Sequence, residues 1–101
     1  MTIASDITVP DAELADICQR YQVRELSVFG SAARGERRHD SDVDFLVDFA
    51  PDARISLIEV SALARELTSL LGQPVDIAIK PALKPRVREQ VLKDAHVLYA
   101  A

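Results

Sequence analysis

The stretch from residue 28 to residue 47 constrains the fold of this 101-residue chain more than any other part of the sequence. Apolar residues lead up to Gly30-Ser31, a polar loop follows, and Asp42-Val43-Asp44 then opens a second apolar run. This pattern predicts a strand, a tight glycine turn with a short helix, and a second strand. Because side chains alternate between the faces of a strand, Asp42 and Asp44 are expected to point the same way, with Cα atoms about 6.6 Å apart.

The aspartate pair needs a cation, because two carboxylates held side by side repel each other unless a positive charge lies between them. Hard oxygen ligands of this kind favour a divalent metal, and Mg²⁺ in particular. Upstream, Gly30-Ser31 leads into a helix start, where free backbone N–H groups can hold a phosphate. A phosphate-binding turn beside a metal-binding carboxylate pair predicts chemistry on a nucleoside triphosphate.

Composition places the chain among small globular proteins, and residues 1–101 are expected to form a single domain. Apolar residues make up 49% and charged residues 28%, which argues against a disordered chain. No apolar run approaches the ~20 residues of a membrane span, and no signal-peptide pattern is expected at the N-terminus. The single cysteine, Cys18, fits a reducing cytoplasm and a buried, structural role. The net charge of −4 argues against broad nucleic-acid binding.

Hydrophobic periodicity predicts helices and strands in alternation along the whole chain. Residues 1–9 are expected to be a loose lead-in, and Pro10 is expected to begin a helix that ends near Gln22. Ser31 is expected to cap a short helix that runs through about Arg34. The remaining predicted elements are the strands Val23–Phe29, Val43–Phe49, Val75–Ile79 and His96–Tyr99, a long helix from Leu57 to Leu71 ended by Gly72, and a last helix to about Asp94. The predicted fold class is α/β (α+β), a small mixed β-sheet flanked by helices.

Two charged residues outside the aspartate pair lie where a charge is unfavourable. Asp76 is flanked by apolar residues of a predicted strand, where a buried charge without a partner is costly. It is either an acid at a strand edge or, together with Asp42 and Asp44, a third metal ligand. Arg34 is expected in the first turn of a short helix, where the macrodipole disfavours a cation. Its anionic partner is either a carboxylate of the fold or a phosphate, and the sequence leaves both open.

Three charged or titratable residues lie in the polar loop before the second strand, namely Arg37, Arg38 and His39. The two arginines are expected to be solvated, with contact to a triphosphate as the alternative. His39 is given no catalytic role. Asp48, further along the second strand, is interpreted as a solvated acid.

Taken in order, the singled-out residues resemble the minimal nucleotidyltransferase family of the polymerase-β-like superfamily. The resemblance rests on Gly30-Ser31-x-x-Arg34-Gly35, then Ser41-Asp42-x-Asp44 at the start of a strand, then Asp76 on a later strand. It implies the polymerase-β-like nucleotidyltransferase fold. It further implies that Gly30 and Ser31 grip the triphosphate and that Asp42 and Asp44 hold divalent metal ions. Asp76 would complete the second metal position and help to activate the acceptor hydroxyl.

The resemblance also implies a reaction and a partner. Minimal nucleotidyltransferases are commonly antitoxins paired with a helical HEPN-domain toxin that acts as a ribonuclease. In the studied type of pair, the nucleotidyltransferase transfers AMP from ATP onto a tyrosine of the toxin and silences it. ATP as substrate, two Mg²⁺ ions and a HEPN partner in a shared oligomer are therefore expected. Arg34 is expected to join Gly30 and Ser31 in binding the nucleotide. Many members carry a second basic residue in this turn, where the present chain has Ala32 and Ala33, so a weaker grip on the triphosphate is expected.

Two other functions stay open at this point. The domain could neutralise a toxin by complex formation alone, which Ala32 and Ala33 favour and the intact set of three aspartates disfavours. It could instead transfer a nucleotide to a small molecule, as aminoglycoside-modifying relatives do. The small size weighs against that second reading, because the sequence leaves no room for an acceptor-binding domain.

Overall fold

A computed structural model describes residues 2–4, 7–36 and 41–101. Its elements are β1 (Thr2–Ala4), β2 (Ile7–Thr8), α1 (Asp11–Arg20), β3 (Val23–Phe29), α2 (Gly30–Arg34), β4 (Val43–Phe49), α3 (Leu57–Leu71), β5 (Val75–Ile79), a 3₁₀ turn (Lys80–Ala82), α4 (Pro85–Asp94) and β6 (His96–Ala100). The loop positions Arg37, Arg38 and His39, which are expected to be solvated or without a catalytic role, lie outside the described residues.

Four strands form the main sheet in the order β5-β4-β3-β6. Strand β3 is antiparallel to both β4 and β6, whereas β4 and β5 are parallel. The parallel pair requires a crossover connection, and the long helix α3 provides it. The sheet is therefore mixed and flanked by helices, which confirms the predicted fold class.

The hydrophobic core lies against one face of β4. Val43, Phe45 and Val47 alternate along the strand and are fully buried, together with Leu63 and Leu67 of α3. Helix α1 adds the predicted apolar stripe, since Leu14, Ile17 and Cys18 are buried in the same cluster. The opposite face of β4 carries Asp44 and Asp48, because side chains alternate between the two faces of a strand. Asp48 is not the solvated acid that was expected, since its side chain is only 15% exposed and pairs with Arg24.

The N-terminal residues differ from the expected loose lead-in. Strands β1 and β2 pair antiparallel, and Ile3, Ile7 and Val9 are buried in the main core. Two short strands carry too few residues for a periodic signal, so only packing against the rest of the chain fixes them. Helix α1 also ends at Arg20 rather than near Gln22, because Gln22 adopts a left-handed backbone with φ 58°.

The short helix after β3 begins one residue earlier than predicted. Gly30 is its first helical residue, and Phe29 occupies the N-cap position without a side-chain cap, so Ser31 is not the cap. The longer elements agree with the sequence: α3 ends at Gly72 in a left-handed conformation, and α4 ends at Asp94. Within the described ranges, no helix is long and apolar enough to cross a membrane.

Candidate active site

The three predicted acidic residues lie at one end of the sheet. Asp44, near the start of β4, is the register partner of Asp76 on the parallel strand β5. Register partners point to the same face, so the two carboxylates lie side by side. Asp42 immediately precedes β4 and is exposed, as is Asp76, whereas Asp44 is half-buried. The sheet therefore brings together acids that are distant in the sequence, which is a requirement if Asp76 is to be a third metal ligand.

The electrostatics of Asp44 show that the two other carboxylates act on it. Burial raises the pKa of Asp44, the nearby charges of Asp76 and Asp42 raise that pKa further, and the Arg34 guanidinium opposes them. The ionised form of Asp44 is thus disfavoured in the folded chain. A bound cation would remove this penalty, because it would neutralise the mutual repulsion of the carboxylates.

Gly30 fits against Asp44 without space for a side chain. A Cβ atom at position 30 would lie 2.5 Å from Oδ2 of Asp44, well inside a normal contact. The φ angle of Gly30 is +71°, a region that other residues rarely adopt. Strand pairing explains the closeness, because Phe29, the preceding residue, is the register partner of Asp44. The glycine turn and the aspartate strand therefore form one surface.

The donor set suits a hard divalent cation, although it is not a closed cage. Among the residues that the structure describes, no three Asp, Glu, His or Cys side chains converge into a preformed metal cluster. Mg²⁺ does not need one, because it is usually held by one or two carboxylates, with water and substrate phosphates as the other ligands. Asp42, Asp44 and Asp76 supply oxygen donors of that type, and the raised pKa of Asp44 fits a site that gains from a cation.

Arg34 is engaged by carboxylates of the fold. Its Nη1 donates to Oδ2 of Asp94 at 2.7 Å, and its Nε donates to Oε2 of Glu36 at 3.1 Å. The argument from an unfavourable helix position is wrong, because α2 has only five residues and Arg34 is the last, where a cation is favoured. Of the two alternatives left open, the structure contains the carboxylate partner. Nucleotide binding by Arg34 stays a prediction, as it does for Gly30 and Ser31.

Asp94 is the residue of this region that the sequence analysis missed. It was treated only as the end of the last helix, yet its side chain is mostly buried, with 16% exposed, and pairs with Arg34. A carboxylate at a helix C-terminus opposes the macrodipole, and that conflict was the available signal. Ser31 is half-buried, and its carbonyl accepts a hydrogen bond from the Glu36 backbone N–H at 2.8 Å, which closes the turn after α2.

Comparison with known proteins decides the family. The sequence profile described as "Nucleotidyltransferase domain" matches residues 12–98. The chain belongs to the nucleotidyltransferase domain family. This confirms the predicted enzyme class, and the matched range runs from within α1 to within β6, so it includes the glycine turn and all three aspartates.

One curated relative is similar over almost the full length of both proteins. The protein adenylyltransferase MntA of Thermococcus cleftensis is 38% identical over 94 residues, which cover 93% of this chain and 93% of that protein. A match of that length necessarily includes the glycine turn and both site strands. It places this chain in the same family as a curated adenylyltransferase of nearly equal extent.

Two solved structures share the fold. A toxin–antitoxin structure with AMP-PNP superimposes with a TM-score of 0.75 at 21% identity, and the match covers 92% of this chain and 75% of the other. The MNT antitoxin complex with a tri-AMPylated HEPN toxin from Shewanella oneidensis gives a TM-score of 0.66 at 19% identity, covering 90% and 70%. At these identities the likeness shows the architecture, which is that of minimal nucleotidyltransferases.

Proposed function

We propose that this chain is an Mg²⁺-dependent protein adenylyltransferase and antitoxin, which transfers AMP from ATP onto a tyrosine of a cognate HEPN-type ribonuclease toxin. The family supplies the reaction class, and the relative MntA is a protein adenylyltransferase. The two structures of the same fold contain AMP-PNP in one case and an AMPylated HEPN toxin in the other. The partner, the nucleotide and the tyrosine enter this proposal from those proteins and from the family resemblance.

One observation of this chain carries the proposal more than any other. Asp44 lies between the close approach of Gly30 and the register partner Asp76, so the glycine turn and both acidic strands are neighbours at one end of the sheet. A triphosphate bound along the turn would bring its phosphates next to the carboxylates. A neutralisation module that acted by binding alone would have no use for like charges held together in this way.

The reaction is a displacement at the α-phosphorus of ATP. The tyrosine oxygen forms a bond to that phosphorus, the bond to the β-phosphate oxygen breaks, and pyrophosphate leaves while the tyrosine proton passes to solvent. Two Mg²⁺ ions, when bound, would stabilise the attacking and leaving oxygens. Asp42 and Asp44 would hold the metal ions, and Asp76 would help to activate the acceptor hydroxyl. Gly30 and Ser31 would position the triphosphate, so the protein acts mainly by placing charge.

A small-molecule acceptor receives no support from the described cavities. One, of about 330 Å³, is lined by Tyr21, Glu66 and their neighbours between α1 and α3. Another, of about 250 Å³, is lined by Arg24, Asp48 and Lys80 together with Pro81 and Arg88. Neither contains a residue of the aspartate site. We therefore favour an acceptor presented by a partner protein.

Transfer of labelled AMP tests the proposal. With the cognate HEPN protein, ATP labelled at the α-phosphate and Mg²⁺, we expect covalent labelling of a partner tyrosine by the wild type and none by Asp44→Asn. Asp48→Asn is the matched control, because Asp48 lies on the same face of the same strand but outside the site. Labelling that survives Asp44→Asn would remove the assigned site. If Asp44→Asn transfers no labelled AMP and still neutralises the toxin fully, neutralisation by binding alone would be favoured instead.

A further inference from the structure

Arg34 is held beside the aspartate site by two carboxylates of different kinds. The Asp94 side chain is 16% exposed, whereas the Glu36 side chain is 65% exposed. An exposed ion pair contributes little, because water and salt screen it. The pair with Asp94, at 2.7 Å, is the shorter of the two and the more shielded from water. Asp94 is therefore the contact that fixes where the Arg34 guanidinium lies.

The location of Asp94 is unfavourable for a carboxylate. It is the last residue of the ten-residue helix α4, where the macrodipole presents negative charge. Its burial adds a desolvation cost to that repulsion. The guanidinium of Arg34 offsets both costs. An unfavourably placed carboxylate that is stabilised by a single arginine is typical of a functional site, where local rules are broken.

Arg34 lies one helical turn from the glycine turn, since Gly30 and Arg34 are the first and last residues of the five-residue helix α2. Gly30 in turn lies against the Asp44 carboxylate, where a Cβ would be 2.5 Å from Oδ2. The bonds to Asp94 and Glu36 engage Nη1 and Nε, and a guanidinium carries five N–H donors in a planar fork. Such a fork matches phosphate oxygens well, so an arginine anchored on one side can bind a phosphate with the other.

We propose that Asp94 is a positioning residue, whose carboxylate holds the Arg34 guanidinium for contact with the β- and γ-phosphates of the bound nucleoside triphosphate. The proposal rests on the proposed function and names the part of the chain that recognises the triphosphate tail. Glu36, the exposed partner, is the contact that Arg34 gives up when phosphate oxygens arrive. The closing helix α4 thereby takes part in substrate binding without touching the substrate.

Calorimetric titration with two nucleotides tests this inference without the toxin partner. In the presence of Mg²⁺, Asp94→Asn should bind AMP-PNP roughly tenfold more weakly than the wild type, which is about the effect of one lost charge-assisted hydrogen bond. Binding of AMP, which lacks the two outer phosphates, should be unchanged. Asp94→Glu keeps the charge but moves it by one methylene, so its affinity for AMP-PNP should lie between that of the wild type and that of Asp94→Asn. If Asp94→Asn does not fold, this second variant carries the test.

Asp48→Asn is the matched control, because its side chain is 15% exposed and also pairs with an arginine, Arg24, away from the aspartate site. It should bind both nucleotides as the wild type does. Unchanged AMP-PNP binding by Asp94→Asn, or equal weakening for AMP and AMP-PNP, would overturn the inference while leaving the proposed function intact. A wild type that binds no AMP-PNP would overturn both.

Discussion

Gly30 and Asp44 touch with no room for a side chain between them, since a Cβ at position 30 would lie 2.5 Å from the Asp44 carboxylate oxygen Oδ2. The glycine is required twice over, because its backbone also has a φ of +71°. This relationship places the turn expected to bind phosphate directly against the strand expected to bind metal. The contact explains sterically why a glycine occupies position 30, in addition to the chemical role expected for the turn.

Gly30→Ala is expected to abolish most AMP transfer. The added methyl group would displace Asp44, and a misplacement of that kind can lower the rate by about 100-fold. Gly72→Ala is the control, because Gly72 has a similar φ of +70° but nothing within 4 Å of its hypothetical Cβ. Both variants should lose about 1–2 kcal/mol from backbone strain, but Gly72→Ala should keep its activity. Equal transfer rates in the two variants would show that the close contact is unimportant.

Asp44→Asn is expected to raise the melting temperature near neutral pH while it removes activity. Burial and the neighbouring acids Asp76 and Asp42 raise the pKa of Asp44 above its ordinary value of 3.8. Because the pKa in the folded state exceeds that in the unfolded chain, the wild type loses stability as the pH rises through the folded-state pKa. Below the unfolded-state pKa that loss is absent, so the advantage of the variant should vanish in acid.

Melting curves at pH 7 and in acid, each with and without Mg²⁺, measure this effect. Added Mg²⁺ should stabilise the wild type more than Asp44→Asn at pH 7, because the wild type has one more carboxylate at the site and therefore more repulsion to relieve. A variant that melts below the wild type at pH 7 would mean that the carboxylate of Asp44 stabilises the fold, contrary to this interpretation.

Much of this site could be predicted from the sequence, because its signals are local. Alternation along Val43–Phe49 separated the core face from the acidic face, and Gly30 ended the preceding strand. The placement of Asp76 beside Asp44 could be expected only with the family resemblance as well, because hydrophobic periodicity does not indicate which strands are neighbours in a sheet. The bridge from Arg34 to Asp94 joins residues distant in the chain, so it needed the packed structure.

The predictions from the sequence were wrong where the length of an element or its tertiary packing determines the structure. The pair β1 and β2 contains five residues in all, too few for a pattern, and is fixed by the burial of Ile3 and Ile7. The expectation for Arg34 counted it in the first turn of a short helix, whereas it is the last of the five residues of α2. Arginine at the end of so short a helix breaks no rule, and the conflict lies at Asp94 instead.

Cys18 is expected to resist alkylation in the folded protein. Burial raises the pKa of its thiol to about 11, so almost no reactive thiolate is present at pH 8. Iodoacetamide should modify the cysteine only after denaturant is added, as followed by intact mass. Rapid modification of the native protein would mean that α1 opens readily from the core.

Ser56→Ala is expected to lower stability without lowering activity. Ser56 caps α3, since its hydroxyl accepts from the Ile58 backbone N–H at 3.2 Å and the Glu59 side chain accepts from the Ser56 backbone N–H at 2.8 Å. Loss of such a cap costs about 1 kcal/mol. Denaturant unfolding should show this loss, while the transfer rate per folded molecule stays at the wild-type level. A slower transfer rate would instead connect this helix end to the site.

The central claim is that acids from two parallel strands act as one catalytic site, and Asp76 tests it most directly. The rate of AMP transfer onto the HEPN partner should be compared for the wild type, Asp76→Asn and the control Asp48→Asn under saturating ATP and Mg²⁺. We expect Asp76→Asn to lose about 100-fold or more, the scale seen when one electrostatic stabiliser is removed, and Asp48→Asn to match the wild type. An Asp76→Asn variant that transfers AMP at the wild-type rate would contradict the claim.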